Sequence, residues 1–120
     1  MLANRDGKTF DDVVAEERRI LRGQTDASPL TALCISGGGI RSATFALGAL
    51  QGLADQGVLG DFDYLSTVSG GGYIGAWLTS WKHRAGGLDN ILPKLRPGAR
   101  PPKPDAVDPI GHLREYNNYL

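Results

Sequence analysis

Two short apolar runs in this chain each end in a cluster of glycines and lead straight into a helical repeat. No other feature restricts the fold as tightly. Thr31-Ala-Leu-Cys-Ile-Ser36 runs into Gly37-Gly38-Gly39, and residues 41–56 follow with Ala43, Ala46, Leu50 and Leu53 on one helical face. Asp63-Tyr-Leu-Ser-Thr-Val68 runs into Ser69-Gly70-Gly71-Gly72, after which Ile74, Trp77, Leu78 and Trp81 recur at i, i+3, i+4 and i+7. Short unbroken apolar runs suit strands buried in a parallel sheet. Strand, loop, helix, strand, turn, helix therefore predicts an α/β fold with parallel strands joined by a right-handed crossover. Gly57 stops the first of these helices. Gly48 and Gly52 lie inside it at about 1 kcal/mol each against alanine. The expectation is a smooth stripe that lets this helix lie close to the sheet.

Glycine makes up 17 of 120 residues, about twice the usual ~7%, and its clustering points to specific backbone geometry. Thirteen basic and thirteen acidic residues cancel, so overall charge gives no reason to expect a nucleic-acid partner. The single Cys34 has no partner for an internal disulfide, which suits a reducing compartment. The first residues carry no apolar signal-peptide core, and no stretch approaches the roughly 18 apolar residues of a membrane span. The chain reads as cytoplasmic, with peripheral membrane contact left open. Nothing in it asks for a metal or an organic cofactor.

Flanking segments frame the central pair of units. Residues 10–22 read as a helix capped by Thr9 with Asp12 three positions on, although its apolar face is ragged. Six of the seven prolines fall between 93 and 109, and residues 82–103 carry six Lys or Arg against one acid, Asp89. This stretch reads as a solvated linker, followed by a helical piece over residues 110–119. The expected division is a helical extension over 1–30, a central portion over 31–85, and a basic linker with a terminal helix over 86–120. Cys34 is expected to be buried, Trp77 and Trp81 to be helix-face core, and His83, one turn past their helix, and His112 to be solvated.

The two glycine clusters carry the chemistry. Ligands of parallel sheets bind at the carboxyl ends of the strands, and both clusters sit at such ends. A serine at a strand-to-helix turn flanked by small residues is a nucleophile-elbow arrangement. In Thr67-Val68-Ser69-Gly70-Gly71 the pattern G-x-S-x-G is met except at its first position, where the β-branched Thr67 crowds the turn. The plainer reading of Ser69 is a hydroxyl capping a glycine-rich turn. Gly37, Gly38 and Gly39 offer consecutive backbone N–H groups of the kind an acyl-transfer oxyanion requires. Arg41 lies in the first helical turn against the macrodipole, which calls for an anionic ligand or a carboxylate partner, the plainer reading being an exposed side chain that reaches water.

With these residues in view, the chain resembles the patatin-like phospholipases. S-G-G-G-I-R-S-A followed by D-Y-L-S-T-V-S-G-G-G-Y-I-G carries the likeness over residues 31–81. Ser36, where patatins proper have aspartate, and Gly70 lean toward the cytosolic phospholipase branch. From Asp108 to Leu120, I-x-x-L-R-x-Y-x-N-Y-L is similar to large bacterial members. The resemblance implies a three-layer sandwich around a parallel sheet and hydrolysis of lipid esters at a membrane surface. It implies a Ser–Asp dyad with Ser69 as nucleophile, Gly37, Gly38 and Gly39 as oxyanion hole, Gly70 and Gly71 shaping the elbow, and Arg41 steadying the loop or a lipid phosphate. The family's acid sits in an Asp-Gly-Gly or Asp-Gly-Ala step. None follows Ser69 here: Asp89, Asp105 and Asp108 precede Asn, Ala and Pro, and Asp6-Gly7 comes too early. The chain thus reads as the front half of such a domain, truncated before its acid and completed by a further segment or another chain.

Two rival readings remain open at this level. The first is an inactive fragment or interaction module, since a serine without a base is a poor nucleophile and a two-strand sheet has open edges. The second is a dinucleotide-binding unit, with Asp61 or Asp63 about 20 residues beyond the first glycine loop, although Ser42 stands at the third glycine position.

Overall fold

The computed structural model describes residues 7–23, 28–99 and 108–115. The chain divides into two compact units, Met1–Thr31 and Ala32–Leu120.

The first unit holds helix α1, Phe10–Arg22. Thr9 and Asp12 form the full capping box that their spacing predicts: the Thr9 hydroxyl accepts from the Asp12 N–H, and Asp12 accepts from the Thr9 N–H at 2.7 Å. Gly23 ends the helix at φ 78°. Arg19 pairs with Glu16 at 2.7 Å, and Arg18 and Arg22 donate to the carbonyl and hydroxyl of Ser28. The backbone hydrogen bond from Thr9 holds the Asp12 carboxyl below its ordinary 3.8. A carboxyl with a depressed folded value stabilises the helix start above its unfolded value and ceases to do so as pH falls through the folded one. Acidification should therefore move the Cα chemical shifts of the first turn toward coil values. Thr9→Ala removes the hydroxyl but keeps the backbone N–H, so it should move the Asp12 midpoint only part of the way back toward that of an ordinary aspartate in the same titration.

The second unit is built on strands β1, Ala32–Ile35, and β2, Tyr64–Thr67. They pair in parallel, with Leu33 opposite Leu65 and Ile35 opposite Thr67. Residues level with each other in this register share a face. Leu33, Ile35, Leu65 and Thr67 therefore lie on one side of the ladder, and Cys34 and Ser66 on the other. Helix α2, Gly39–Asp55, leaves the end of β1, and helix α3, Gly70–Ala85, leaves the end of β2. Ala43, Ala46, Leu47, Leu50 and Ala54 of α2 pack with Ile74, Leu78 and Trp81 of α3, and Leu33 and Ile35 close this core from the sheet. Gly86 stops α3 in the left-handed conformation at φ 79°.

Four expectations need correction. Residues 88–95 are no solvated linker: Ile91 and Leu95 are completely buried in the core, and Leu92–Leu95 forms a short helix, α4, with Pro93 in its first turn. Gly48 and Gly52 do not serve close packing, because both are exposed and a Cβ on either would meet open space. Cys34 is exposed rather than buried, on the face of the sheet away from α2 and α3. His83 lies within the last turn of α3 rather than beyond it.

The last described element, α5, Pro109–Glu115, buries Ile110 and Leu113. Asp108 starts it, accepting from the Ile110 N–H at 3.0 Å, and the Trp77 indole donates to the Pro109 carbonyl at 3.3 Å. The remainder of the helix expected to residue 119 lies outside the described residues. Among the described residues, no helix is long and apolar enough to cross a membrane.

Candidate active site

Ser69 is where the backbone departs from ordinary geometry. Its φ of 52° and ψ of −123° make it the one non-glycine residue at positive φ among those described. Such a conformation costs on the order of 1–3 kcal/mol and persists only where its surroundings enforce it. The enforcement is visible on both sides. The Val68 N–H is held by the Ile35 carbonyl at 3.2 Å, and the Ser69 carbonyl receives the Tyr73 N–H at 3.2 Å as α3 begins. The chain must turn from strand to helix within one residue, and Ser69 is that residue.

Ser69 stands at the N-cap position of α3, but its hydroxyl makes no capping hydrogen bond to the helix. It is exposed and has no hydrogen-bond partner among the described residues. Gly37 lies against it: a Cβ there would stand 3.0 Å from the Ser69 Cβ and 3.6 Å from its Oγ. The loop continues through Gly38 at φ 147° and Gly39 at φ 62°, conformations that glycine adopts without strain. Neither α2 nor α3 has a side chain capping its start. Two helix N-termini with first-turn N–H groups not bonded within their helices thus converge on one hydroxyl, and both favour negative charge there.

The two glycine clusters touch directly. A Cβ on Gly70 would lie 2.0 Å from the Gly39 carbonyl oxygen, and one on Gly71 would meet the Ile35 side chain at 2.7 Å. Ser42 donates its hydroxyl to the Ser36 carbonyl and ties the loop to the first turn of α2. Arg41 is exposed, with no ion-pair partner among the described residues, so the anionic partner expected for it is not supplied by them.

A general base is not assembled around Ser69 by the described residues. His83 is fourteen positions along α3, about 21 Å away along the helix axis. No group of three His, Cys, Asp or Glu with metal-binding geometry occurs among the described residues. The small cavity lined by Leu33, Leu50, Leu59, Phe62 and Leu78, of about 120 Å³, opens beside the start of β2 and away from the glycine loops.

The family model for patatin-like phospholipases matches residues 33–99, which is more than half of the chain and includes both glycine loops. The chain belongs to that family. No curated protein and no solved structure matches it. The patatin-like segment thus spans β1 through α4, so the buried Ile91 and Leu95 fall within it.

Sequence reasoning overlooked Gly75. A Cβ on this buried glycine would meet Thr67 Cγ2 at 2.8 Å and Oγ1 at 3.0 Å. The bulk that Thr67 brings to the first elbow position is received by Gly75, so the small residue has moved from strand to helix. The signal was available: Gly71 and Gly75 stand at i and i+4, on the face of α3 that must meet the strand.

Proposed function

We propose that this chain carries the nucleophile and oxyanion loop of a serine hydrolase acting on acyl esters of lipids. The observation that carries the reading is Ser69 itself, an exposed hydroxyl on a strained strand-to-helix turn, laid against Gly37. Attack by its Oγ on an ester carbonyl would form a tetrahedral oxyanion. N–H groups of Gly37, Gly38 and Gly39, together with that of Gly70, would receive the charge. Collapse would expel the alcohol and leave an acyl-Ser69, which water then hydrolyses. The proton taken from Ser69 requires a carboxylate, here an aspartate outside the described residues or on another chain, completing the dyad and the three-layer sandwich. Arg41 would face a substrate phosphate. Ser36 and Gly70 lean toward the cytosolic phospholipase branch of the family. An apolar fringe of Ile40, Val68 and Tyr73, 37%, 59% and 46% exposed, surrounds the elbow and suits a lipid surface better than a polar ester.

The absence of a base among the described residues favours one rival, a non-catalytic interaction module. Ethyl fluorophosphonate separates the two, because it needs a nucleophile and an oxyanion site but no deacylation. Intact mass should show a single slow adduct, located on Ser69 by peptide mapping, absent from Ser69→Ala and kept in Ser66→Ala. Adducts scattered over several serines, or none after prolonged exposure of the folded chain, would remove the hydrolase reading.

A further inference from the structure

A groove runs along α3 away from the elbow, and its chemistry is that of an acyl chain. Tyr73, Ala76, Trp77 and Ser80 form one side, and His112 and Leu113 of α5 form the other. The groove is shallow and open along much of its length, with a volume of about 400 Å³. Its lining surface is mainly apolar. It begins one helical turn from the nucleophile, since the Tyr73 N–H donates to the Ser69 carbonyl. Ala76 leaves the middle of the α3 side open, with no side chain beyond Cβ to fill it. Trp77 is a fixed wall: its indole N–H is held by the Pro109 carbonyl at 3.3 Å, and its ring lies 5.3 Å from that of Trp81. A preformed wall spares a ligand the cost of ordering the side chains that bind it.

We infer that this groove holds the acyl arm of the ester attacked by Ser69, an inference that rests on the hydrolase reading. Length sets the class. Tyr73 to Ser80 spans about 10.5 Å along the helix, and an extended chain advances roughly 1.2 Å per bond. The groove therefore takes about eight or nine carbons, and the turn from Ser69 to Tyr73 adds about 6 Å, so the acyl chain is about thirteen or fourteen carbons long. Ser80 makes the far end of the α3 side polar, so carbons beyond that point gain little apolar contact, and His112 adds a second polar group to the lining. A bulky or branched acyl group would be blocked by the Trp77 wall.

Two measurements on the full chain test this. In Ser69→Ala, brominated octanoate should quench the fluorescence of Trp77 saturably, while brominated propionate should not. Ala76→Phe, at an exposed position that folding does not use, should abolish the saturable part. Quenching that stays linear in concentration, or that Ala76→Phe leaves unchanged, overturns the groove. With Ser69 intact, octyl fluorophosphonate should label about tenfold faster than the ethyl probe, given the favourable burial of each methylene. Ala76→Phe should remove that preference, Gly48→Ala, which is not part of the groove, should keep it, and equal rates for both probes in the native chain would overturn it too. Saturable quenching without any labelling would keep the acyl groove and sink Ser69 as nucleophile.

Discussion

Gly70→Ala is expected to disable the site more thoroughly than its one added methyl suggests. Gly70 lies in the first turn of α3 with no positive φ, so its backbone would accept alanine. Alanine is also the better helix former by about 1 kcal/mol. The obstacle is the loop. The new Cβ would stand 2.0 Å from the Gly39 carbonyl oxygen and 2.8 Å from its carbon. These are backbone atoms that cannot swing aside as a flexible side chain does. Either Gly37-Gly38-Gly39 retreats from Ser69 or α3 shifts off the sheet, and overpacking of this kind costs about 1–3 kcal/mol. Retreat of the loop removes oxyanion donors, and losing one such donor typically slows acyl transfer by about 10²–10³. Fluorophosphonate labelling of Gly70→Ala should fall by about that factor, and urea denaturation should show a loss of about 2 kcal/mol. Gly48→Ala is the matched comparison. A Cβ there meets nothing within 4 Å, so the helix-propensity gain of up to about 1 kcal/mol should survive and labelling should not change. If Gly70→Ala behaved like Gly48→Ala, the contact between the two glycine loops would not be what holds the oxyanion loop against the nucleophile.

The contrast between those glycines also shows what the sequence could and could not convey. The order of strands, loops and helices was legible because each element carries its own signal. The capping pair Thr9 and Asp12, the apolar stripe of α2, and the glycines at the strand ends are all local features. Element bounds fell within two residues for β1, β2 and α2. The meeting of Gly37 with Ser69 was legible too, because parallel strands place their carboxyl ends together. What a glycine touches is not local. Gly48 and Gly52 share a helical spacing with Gly71 and Gly75, yet the first pair faces open space and the second faces Ile35 and Thr67. Only the packing direction of each helix separates them. The same limit hid α4: prolines and basic residues around Ile91 and Leu95 describe its exposed side, while the two buried side chains decide where the segment lies. A base for Ser69 was sought in the sequence as an aspartate followed by glycine, and the described residues supply none beside the hydroxyl.

Thr67 and Gly75 offer a reversal of sign that no single substitution could produce. In the native background Gly75→Ala drives a Cβ to 2.8 Å from Thr67 Cγ2 and 3.3 Å from Thr67 Cβ. Thr67 is β-branched and set in a strand, so it has little rotamer freedom with which to yield. Overpacking at about 1–3 kcal/mol should exceed the ~1 kcal/mol helix-propensity gain and leave the variant less stable. Thr67→Gly alone also destabilises. It removes the side chain that fills the notch over Gly75, and it places glycine in a strand at about 0.5–1 kcal/mol. With Thr67→Gly already in place, Gly75→Ala meets no side chain at position 67, and only its propensity gain remains. The same substitution should then raise stability, so the coupling across the cycle comes to about 1–3 kcal/mol, within the range for residues in direct contact. The double variant also restores the small residue at the first position of G-x-S-x-G, with alanine taking up the space on the helix. Ser69 should keep its strained turn in that variant, and its labelling rate should stay within about threefold of the native chain, equivalent to less than ~0.7 kcal/mol. Strictly additive stabilities measured by urea denaturation would mean that α3 and β2 adjust independently. The Thr67–Gly75 contact would then have no part in positioning the nucleophile. Coupling of the expected size, with labelling preserved, would mean that this chain shapes its elbow through a threonine-into-glycine fit where the usual motif has glycine on the strand.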